Sequence, residues 1–186
     1  ACTVRPTGEA DRLMQKLAIQ CSPEQASMIR ADYFGGVTLI DQQIGQIIDT
    51  IKARGEWDNT IVLFTSDHGE MNGDHGFVNK RNFLSGALLV PLIIRTPETV
   101  KKGGKVVNSP VSLMDVGPTL VELSGGKLDY IQFGRSLCPI LQGETDRVRE
   151  YVLSEYLGEI MYMDDQWKMV INCHGQVYLL FDRVND

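Results

Sequence analysis

The sequence has 186 residues, 43% hydrophobic and 23% charged, with 18 Lys+Arg against 24 Asp+Glu and a formal net charge of −6. This length suits one domain or one and a half, and the apolar content excludes a disordered tail. The basic residues are scattered, which argues against a nucleic-acid-binding surface, and no apolar run predicts a membrane span. Of three histidines, His68 and His75 share one short segment rich in Asp, Glu and Gly.

A long helix is predicted to begin after Ser22. Serine at the N-cap, Pro23 at the first helical position and Gln25 three residues after the cap form a capping-box signal. Apolar residues then recur every three or four positions up to Arg54-Gly55, which predicts one stripe that belongs to a core. The members of this stripe are Ile29, Tyr33, Val37, Ile40, Ile44, Ile47, Ile48 and Ile51.

Two apolar runs after this helix predict β-strands. Thr60–Thr65 is β-rich and apolar on both faces, which is typical of a buried parallel strand. Leu88–Arg95 predicts a second strand, whose Pro91 favours an edge or a strand start. A second helix is predicted around Leu113–Ser124, and the order helix, strand, loop, strand, helix indicates an α/β fold.

From about Arg147 the sequence changes to short β-rich runs separated by polar or glycine-containing turns. Three strands are predicted there, at Tyr151–Leu153, Trp167–Ile171 and Val177–Phe181. They indicate a small antiparallel sheet, so we expect an α/β part at residues 1–146 and a β subdomain at residues 147–186. His174 falls in the turn before the last strand and is expected to be structural.

The segment after the first predicted strand concentrates side chains that can carry chemistry. Asp67 and His68 follow the strand directly, and Gly69 lets the backbone turn sharply. The carboxyl ends of parallel strands are where open α/β sheets bind ligands, and an adjacent carboxylate and imidazole can both reach one metal ion. An isolated Asp-His pair, however, is more commonly a turn cap beside a surface histidine.

More ligand-type side chains, and then a lysine, follow in the same loop: Glu70, Asp74, His75 and Lys80. A calcium-binding EF-hand is excluded, because Gly69 and Met71 stand where that loop needs oxygen ligands and no glutamate ends it. Glu70 is expected to be a solvated loop residue. For His75 the residues leave several roles open: it could orient a metal ligand, line a substrate pocket, or simply fix the loop.

The stretch from Asp58 to Gly76, with Lys80 and Val90–Ile93 beyond it, resembles the second half of a sulfatase of the alkaline-phosphatase superfamily. Similar segments continue on both sides, at residues 33–45, 112–120, 134–137, 167–170 and 180–186. Together they extend over residues 28–186. The resemblance implies part of an alkaline-phosphatase-like sheet with flanking helices, followed by the small antiparallel β subdomain.

This resemblance also implies roles for individual residues. Asp67 and His68 correspond to two protein ligands of a divalent cation, calcium in most members, and Lys80 corresponds to the lysine that contacts the sulfate and the nucleophile. Such a cation polarises an ester oxygen, and an ammonium group at a second oxygen stabilises charge in the transition state. Because imidazole also suits manganese or zinc, the identity of the metal stays open.

The family's nucleophile has no counterpart in this sequence. It is a cysteine or serine in a Cys/Ser-x-Pro-x-Arg motif, converted to formylglycine, and it lies beside two metal-binding aspartates. The stretch Cys2–Pro6 is only superficially similar, because its proline follows the arginine. We therefore expect a fragment, the C-terminal half of a catalytic chain, that is inactive without the N-terminal half of the same protein.

Three functions are compatible with these features. The first is a sulfuric ester hydrolase, in which hydrated formylglycine attacks the sulfur of a small-molecule or glycan sulfate ester. The second is a phosphonate monoester or phosphodiester hydrolase, since the superfamily shares this loop and lysine spacing. The third is a non-catalytic binding or scaffold module. The resemblance suggests a periplasmic, secreted or lysosomal location, which the four cysteines neither support nor oppose.

Overall fold

The computed structural model describes residues 19–185, which fall into two compact units that divide between Lys102 and Gly103. The stretch Cys2–Pro6 lies outside the described residues. Among the helices of residues 19–185, none combines the length and the apolar character needed to cross a membrane. The β subdomain expected at residues 147–186 lies inside the second unit, and its boundary stays a prediction.

In the first unit, residues 19–102, the predicted long helix is confirmed as α1 (Pro23–Ala53). Its capping box is also present: the Ser22 hydroxyl accepts a hydrogen bond from the Gln25 N–H, and the Gln25 side chain accepts one from the Ser22 N–H. The apolar stripe is not core along its whole length, since Ile40 and Ile47 are 56% and 60% exposed. The described elements leave this middle part of α1 uncovered.

The strands of the first unit form two small antiparallel pairs. β1 (Ile19–Gln20) pairs with β3 (Phe77–Val78), and β2 (Val62–Thr65) pairs with β4 (Leu92–Arg95). The prediction of a buried parallel strand at Thr60–Thr65 is wrong, because β2 runs antiparallel to its partner and is only half-buried. Apolar residues on both faces of a strand indicate that both faces are buried. They do not indicate whether the neighbouring strand is parallel or antiparallel.

Two short helices complete this unit, α2 (Ser85–Leu88) and α3 (Pro97–Lys102). Most of its buried apolar side chains come from the loop after β2 and from the segment that leads into α2. The set comprises Ala26, Met71, Phe83, Leu84 and Ala87. The best-packed part of the first unit therefore lies around this loop, which holds the loop in one conformation.

The second unit begins with two helices. The predicted second helix is confirmed as α4 (Val116–Leu123), which follows a 3₁₀ turn at Leu113–Asp115, and α5 (Cys138–Gln142) comes next. The cysteines among the described residues are free: Cys21, Cys138 and Cys173.

A buried carboxylate joins three segments of the second unit. Asp115 is fully buried and accepts hydrogen bonds from the N–H groups of Ser112 at 2.8 Å and Arg135 at 2.7 Å. The same carboxylate pairs with the guanidinium of Arg149. Thr119, one turn later, donates to the Asp115 carbonyl and accepts the N–H of Leu137 at 2.9 Å. These contacts hold residues 112–120 against residues 134–137.

The β subdomain is a four-stranded antiparallel sheet in the order β5-β6-β7-β8. Its strands are Val152–Tyr156, Glu159–Met163, Trp167–Ile171 and Val177–Asp182. The predicted sheet and its three predicted strands are confirmed, and β6 is an additional strand. It was missed because the β5–β6 turn uses Leu157-Gly158, with φ of 50° and 79°, in place of a recognisable Asn-Gly or Asp-Gly pair. His174 lies in the predicted turn between β7 and β8.

Candidate active site

The candidate site is built on residues 66–80, which we call the site loop and which begin directly after β2. The Ser66 hydroxyl donates to the carbonyl oxygen of His68 at 2.9 Å. The Asp67 Oδ1 atom accepts the N–H of His68 at 3.0 Å. These local hydrogen bonds set a tight turn at the end of the strand, so the side chains of Asp67 and His68 lie next to each other.

Close backbone packing against α2 fixes the start of the site loop. The N–H of Gly69 donates to the carbonyl oxygen of Ala87 at 2.8 Å. A Cβ atom at Gly69 would overlap the carbonyl oxygen of Gly86, so only glycine permits this approach. Met71 follows and is completely buried. The residues that carry Asp67 and His68 are thus anchored to a packed part of the unit.

Asp67 and His68 offer two donor atoms on the same side of the turn. The Oδ2 atom of Asp67 lies 3.4 Å from Nε2 of His68, and the Asp67 side chain is 83% exposed. The other ring nitrogen, Nδ1, lies 2.8 Å from the carbonyl oxygen of Gly69, which can only accept a hydrogen bond. Nδ1 therefore donates a hydrogen bond to that carbonyl, and Nε2 is the ring nitrogen that lies next to the carboxylate.

Lys80, the last residue of the site loop, lies beside Asp67 and His68. Its Nζ atom contacts Nε2 of His68, although the two residues are twelve positions apart in the sequence. The structure therefore brings together the three residues that the sequence assigned to metal and sulfate binding. The carboxylate and the imidazole nitrogen can bind a cation once the ammonium group leaves Nε2, and that ammonium group can then bind an anionic ester beside the cation.

The electrostatic setting favours an ionised Asp67. Desolvation raises the pKa of this carboxyl, but the charge of His68, nearby backbone N–H groups and the charge of Lys80 lower it more. The net pKa is below the ordinary value, so the group is a carboxylate at neutral pH. A carboxyl group must be deprotonated to bind a metal ion.

The helix α1 holds the middle of the site loop from the other side. Arg30 donates from Nε to the carbonyl oxygen of Asn72 at 2.7 Å, and its Nη2 atom pairs with Asp74 at 2.9 Å. Gly73, with φ of 85°, lies so close to α1 that a Cβ atom would overlap the side chain of Ala26. Contacts with α1, which lies far from this segment in the sequence, therefore help to determine its shape.

Two further loop residues differ in their surroundings. His75 is exposed, with φ of 55° in a 3₁₀ turn, and no hydrogen bond or ion pair joins it to Asp67, His68 or Lys80 within the described residues. Its role stays a prediction. Glu70, expected to be solvated, is half-buried and accepts hydrogen bonds from backbone N–H groups of the same loop. Nothing in the sequence signals this role, because its partners are main-chain atoms.

The donor atoms meet only part of the needs of a divalent cation. Over residues 19–185, no group of three or more His, Cys, Asp and Glu side chains is arranged to hold a metal ion. Asp67 and His68 supply one oxygen and one nitrogen whose separation suits neighbouring ligands of one ion. Catalytic metal sites need three or more protein ligands in most cases, so this pair fits one side of such a site.

Family models and known relatives match this chain over most of its length. The family model "Sulfatase" matches residues 4–126, and the model "N-sulphoglucosamine sulphohydrolase, C-terminal" matches residues 73–183. A choline-sulfatase of Rhizobium meliloti is 34% identical over 193 residues, 95% of this chain and 36% of the relative. An N-acetylglucosamine-6-O-sulfatase of Bacteroides thetaiotaomicron is 36% identical over 114 residues, 61% of this chain and 20% of the relative.

A solved structure is similar over most of the chain. The crystal structure of a phosphonate monoester hydrolase of Agrobacterium radiobacter superposes with a TM-score of 0.79 and 31% identity, over 89% of this chain and 37% of that one. This match confirms the predicted fold class. The chain spans little more than a third of the length of the choline-sulfatase and of the phosphonate monoester hydrolase.

Proposed function

Because the chain belongs to the sulfatase family, we propose that it is part of a sulfuric ester hydrolase and that the site loop supplies half of the active site. One observation carries this proposal: Asp67, His68 and Lys80 converge at the end of β2. The carboxylate and the ring nitrogen are 3.4 Å apart, and the ammonium group contacts the same nitrogen. This combination of a cation-binding pair and a fixed positive charge suits an anionic ester.

In this proposal, Asp67 and His68 hold a divalent cation through Oδ2 and Nε2. When bound, the cation polarises an ester oxygen and offsets its negative charge. His68 would bind the cation through Nε2, since its Nδ1–H is hydrogen-bonded to the Gly69 carbonyl. Lys80 places its ammonium group at a second oxygen and stabilises the charge that develops there. Calcium is the proposed ion, with manganese and zinc as the alternatives that a histidine ligand admits.

The remaining part of the site is proposed to come from the N-terminal half of the same protein. That half would supply further ligands and the formylglycine made from a cysteine or a serine. Two observations support this partner. Within the described residues, no group of three or more His, Cys, Asp and Glu side chains could hold a metal ion, so the proposed pair would need further ligands, and the exposed face of α1 around Ile40 and Ile47 is apolar enough to be covered by further protein.

The proposed substrate is a small-molecule or glycan sulfate ester. The relatives include proteins named choline-sulfatase and N-acetylglucosamine-6-O-sulfatase, one with a small-molecule name and one with a sugar name. A second candidate is phosphonate monoester hydrolysis, which the structural likeness to a phosphonate monoester hydrolase favours. Sulfate and phosphonate esters both have negatively charged oxygens that a cation and a lysine can bind. This half of the site therefore suits either ester.

Turnover of matched esters by the full-length protein tests the proposal. 4-Nitrophenyl sulfate and 4-nitrophenyl phenylphosphonate release the same leaving group, so the comparison of kcat/KM isolates the transferred group. We expect kcat/KM for the sulfate to exceed that for the phosphonate by about tenfold or more, a transition-state preference of about 1.4 kcal/mol. A phosphonate preferred by the same margin would instead establish the second candidate.

A further inference from the structure

Glu70 connects the two ends of the site loop through main-chain contacts. Its Oε1 atom accepts the N–H of Asn72 at 3.3 Å and the N–H of Asn79. The next residue, Met71, donates its own N–H to the carbonyl oxygen of Asn79 at 3.2 Å. Both polar main-chain groups of Asn79 are therefore bonded to the residues that follow Gly69. This ties the segment before Lys80 to the segment after His68.

These contacts select one conformation of Asn79. Its φ of 78° is in the left-handed region, which asparagine adopts more readily than other residues except glycine but which is only one of its accessible conformations. Its side chain also accepts the N–H of Lys80 at 2.8 Å, so the conformation of Asn79 determines where the Lys80 side chain starts. The lysine is long and flexible, and a displaced starting point would move its ammonium group away from the ester.

We propose that Glu70 is a positioning residue, which fixes Lys80 relative to the Asp67–His68 pair through Asn79. The inference rests on the proposed function of the site. Glu70 itself is directed at backbone N–H groups, so it acts through the lysine without touching the ester. Charged acceptors form stronger hydrogen bonds than neutral ones, which suits a contact that must hold the residue before Lys80 in one conformation.

The contact between Arg30 and Asp74 provides a matched comparison within the same loop. Asp74 is also a loop carboxylate, but its side chain is 59% exposed and it pairs with α1. No hydrogen bond joins Asp74 to Asn79 or Lys80 within the described part of the chain. The substitution Asp74→Asn therefore removes a loop charge while leaving the contacts of Glu70 in place.

A double-mutant cycle in the full-length protein tests the proposal, with 4-nitrophenyl sulfate as substrate and calcium as the metal. We expect Glu70→Ala to lower kcat by about 10- to 100-fold, the range typical of residues that orient a catalytic group, while calcium affinity changes less than about threefold. Glu70→Gln keeps an acceptor oxygen and should recover most of the lost kcat. In a Lys80→Ala background, Glu70→Ala should have no further effect, because residues that act as a unit are not additive.

Amide hydrogen exchange supplies a readout that does not depend on turnover. Peptides containing Asn79 should exchange faster in Glu70→Ala than in the wild type, and Asp74→Asn should leave them unchanged. Additive losses in the cycle, or exchange at Asn79 that Glu70→Ala does not alter, would overturn the positioning role. If the wild type prefers the phosphonate ester, the sulfatase proposal fails, and the same cycle with that ester decides the role of Glu70. If the wild type hydrolyses neither ester, hydrogen exchange at Asn79 alone tests the role of Glu70.

Discussion

The two nitrogens of His68 have different partners, and the proposed metal-binding role depends on this difference. Nδ1 bonds to the carbonyl of the next residue, Gly69, while Nε2 faces Asp67 and Lys80. The family resemblance implied roles for Asp67, His68 and Lys80, which stay a prediction, and the structure places the three side chains together. The sequence could not predict the orientation of the imidazole, which depends on a turn set by Ser66 and by packing against α2.

Lys80 and its neighbour Arg81 allow a sharp test at the residue scale, since both are exposed cations at the end of the site loop. Only Lys80 contacts His68. In the full-length protein, Lys80→Ala should lower kcat for 4-nitrophenyl sulfate by about 100- to 1,000-fold, the usual loss when a group that stabilises transition-state charge is removed. Arg81→Ala should change kcat by less than about threefold. Equal losses in the two variants would show that net charge matters and position does not.

Lys168 in β7 is an unusual residue, because it is only 5% exposed. Desolvation, and then the charge of Arg183, lower its pKa to about 8. Its ammonium group lies 5.3 Å from the centre of the Phe181 ring, and a desolvated contact of that kind contributes about 2 kcal/mol, which offsets only part of the cost of burial. The lysine thus favours the neutral form in the folded state more than in the unfolded chain.

The lowered pKa predicts a pH-dependent stability. Below about pH 8, Lys168 is charged in both states and its burial is a cost; between about 8 and 10.5 the folded state loses the proton first, so stability rises with pH. Lys168→Met should therefore raise the free energy of unfolding by up to about 3 kcal/mol at pH 7 and by much less near pH 10.5. Denaturant titrations of both proteins over this range measure it. A difference that is constant with pH would show that the buried charge of Lys168 does not limit stability.

At the scale of elements, features that depend on neighbouring residues could be predicted from the sequence, whereas the pairing of strands could not. The start of α1 was predictable because its capping box involves residues three positions apart. The direction of β2 was not, since it depends on β4, about thirty residues later. Likewise, β6 could not be predicted, because Leu157-Gly158 is not a sequence that typically indicates a tight turn. The role of Glu70 was hidden for a related reason: its partners are main-chain groups, which every residue possesses.

The contacts of Asp115 predict a large effect on the stability of the second unit. Asp115→Ala removes the acceptor of two N–H groups and leaves the buried Arg149 guanidinium without its partner, so we expect a loss of about 3–5 kcal/mol. The control is Asp146→Ala, which breaks the exposed 2.6 Å pair with Lys105 and should change the free energy of unfolding little, because exposed ion pairs are screened by solvent. Urea unfolding of the two variants provides the comparison. Similar losses would mean that burial does not govern the Asp115 contacts.

At the scale of the whole molecule, three features lead to the same proposal. The chain spans 36% of the choline-sulfatase it resembles, no group of three or more His, Cys, Asp and Glu side chains in the described residues could hold a metal ion, and the middle of α1 exposes apolar side chains. A composite active site accounts for all three, with the cation held between Asp67 and His68 on this side and ligands from the N-terminal half on the other. The proposed function therefore depends most on the metal-binding role of this pair.

Calcium titration of the full-length protein by calorimetry tests that role most directly. The wild type is compared with Asp67→Asn/His68→Ala and with Asp74→Asn, which keeps the pair and alters the same loop. We expect the double variant to bind calcium about 100-fold more weakly or worse and to lose turnover of 4-nitrophenyl sulfate, while Asp74→Asn retains both. Unchanged calcium affinity and unchanged turnover in the double variant would contradict the metal-binding role and leave the site loop with a purely structural one.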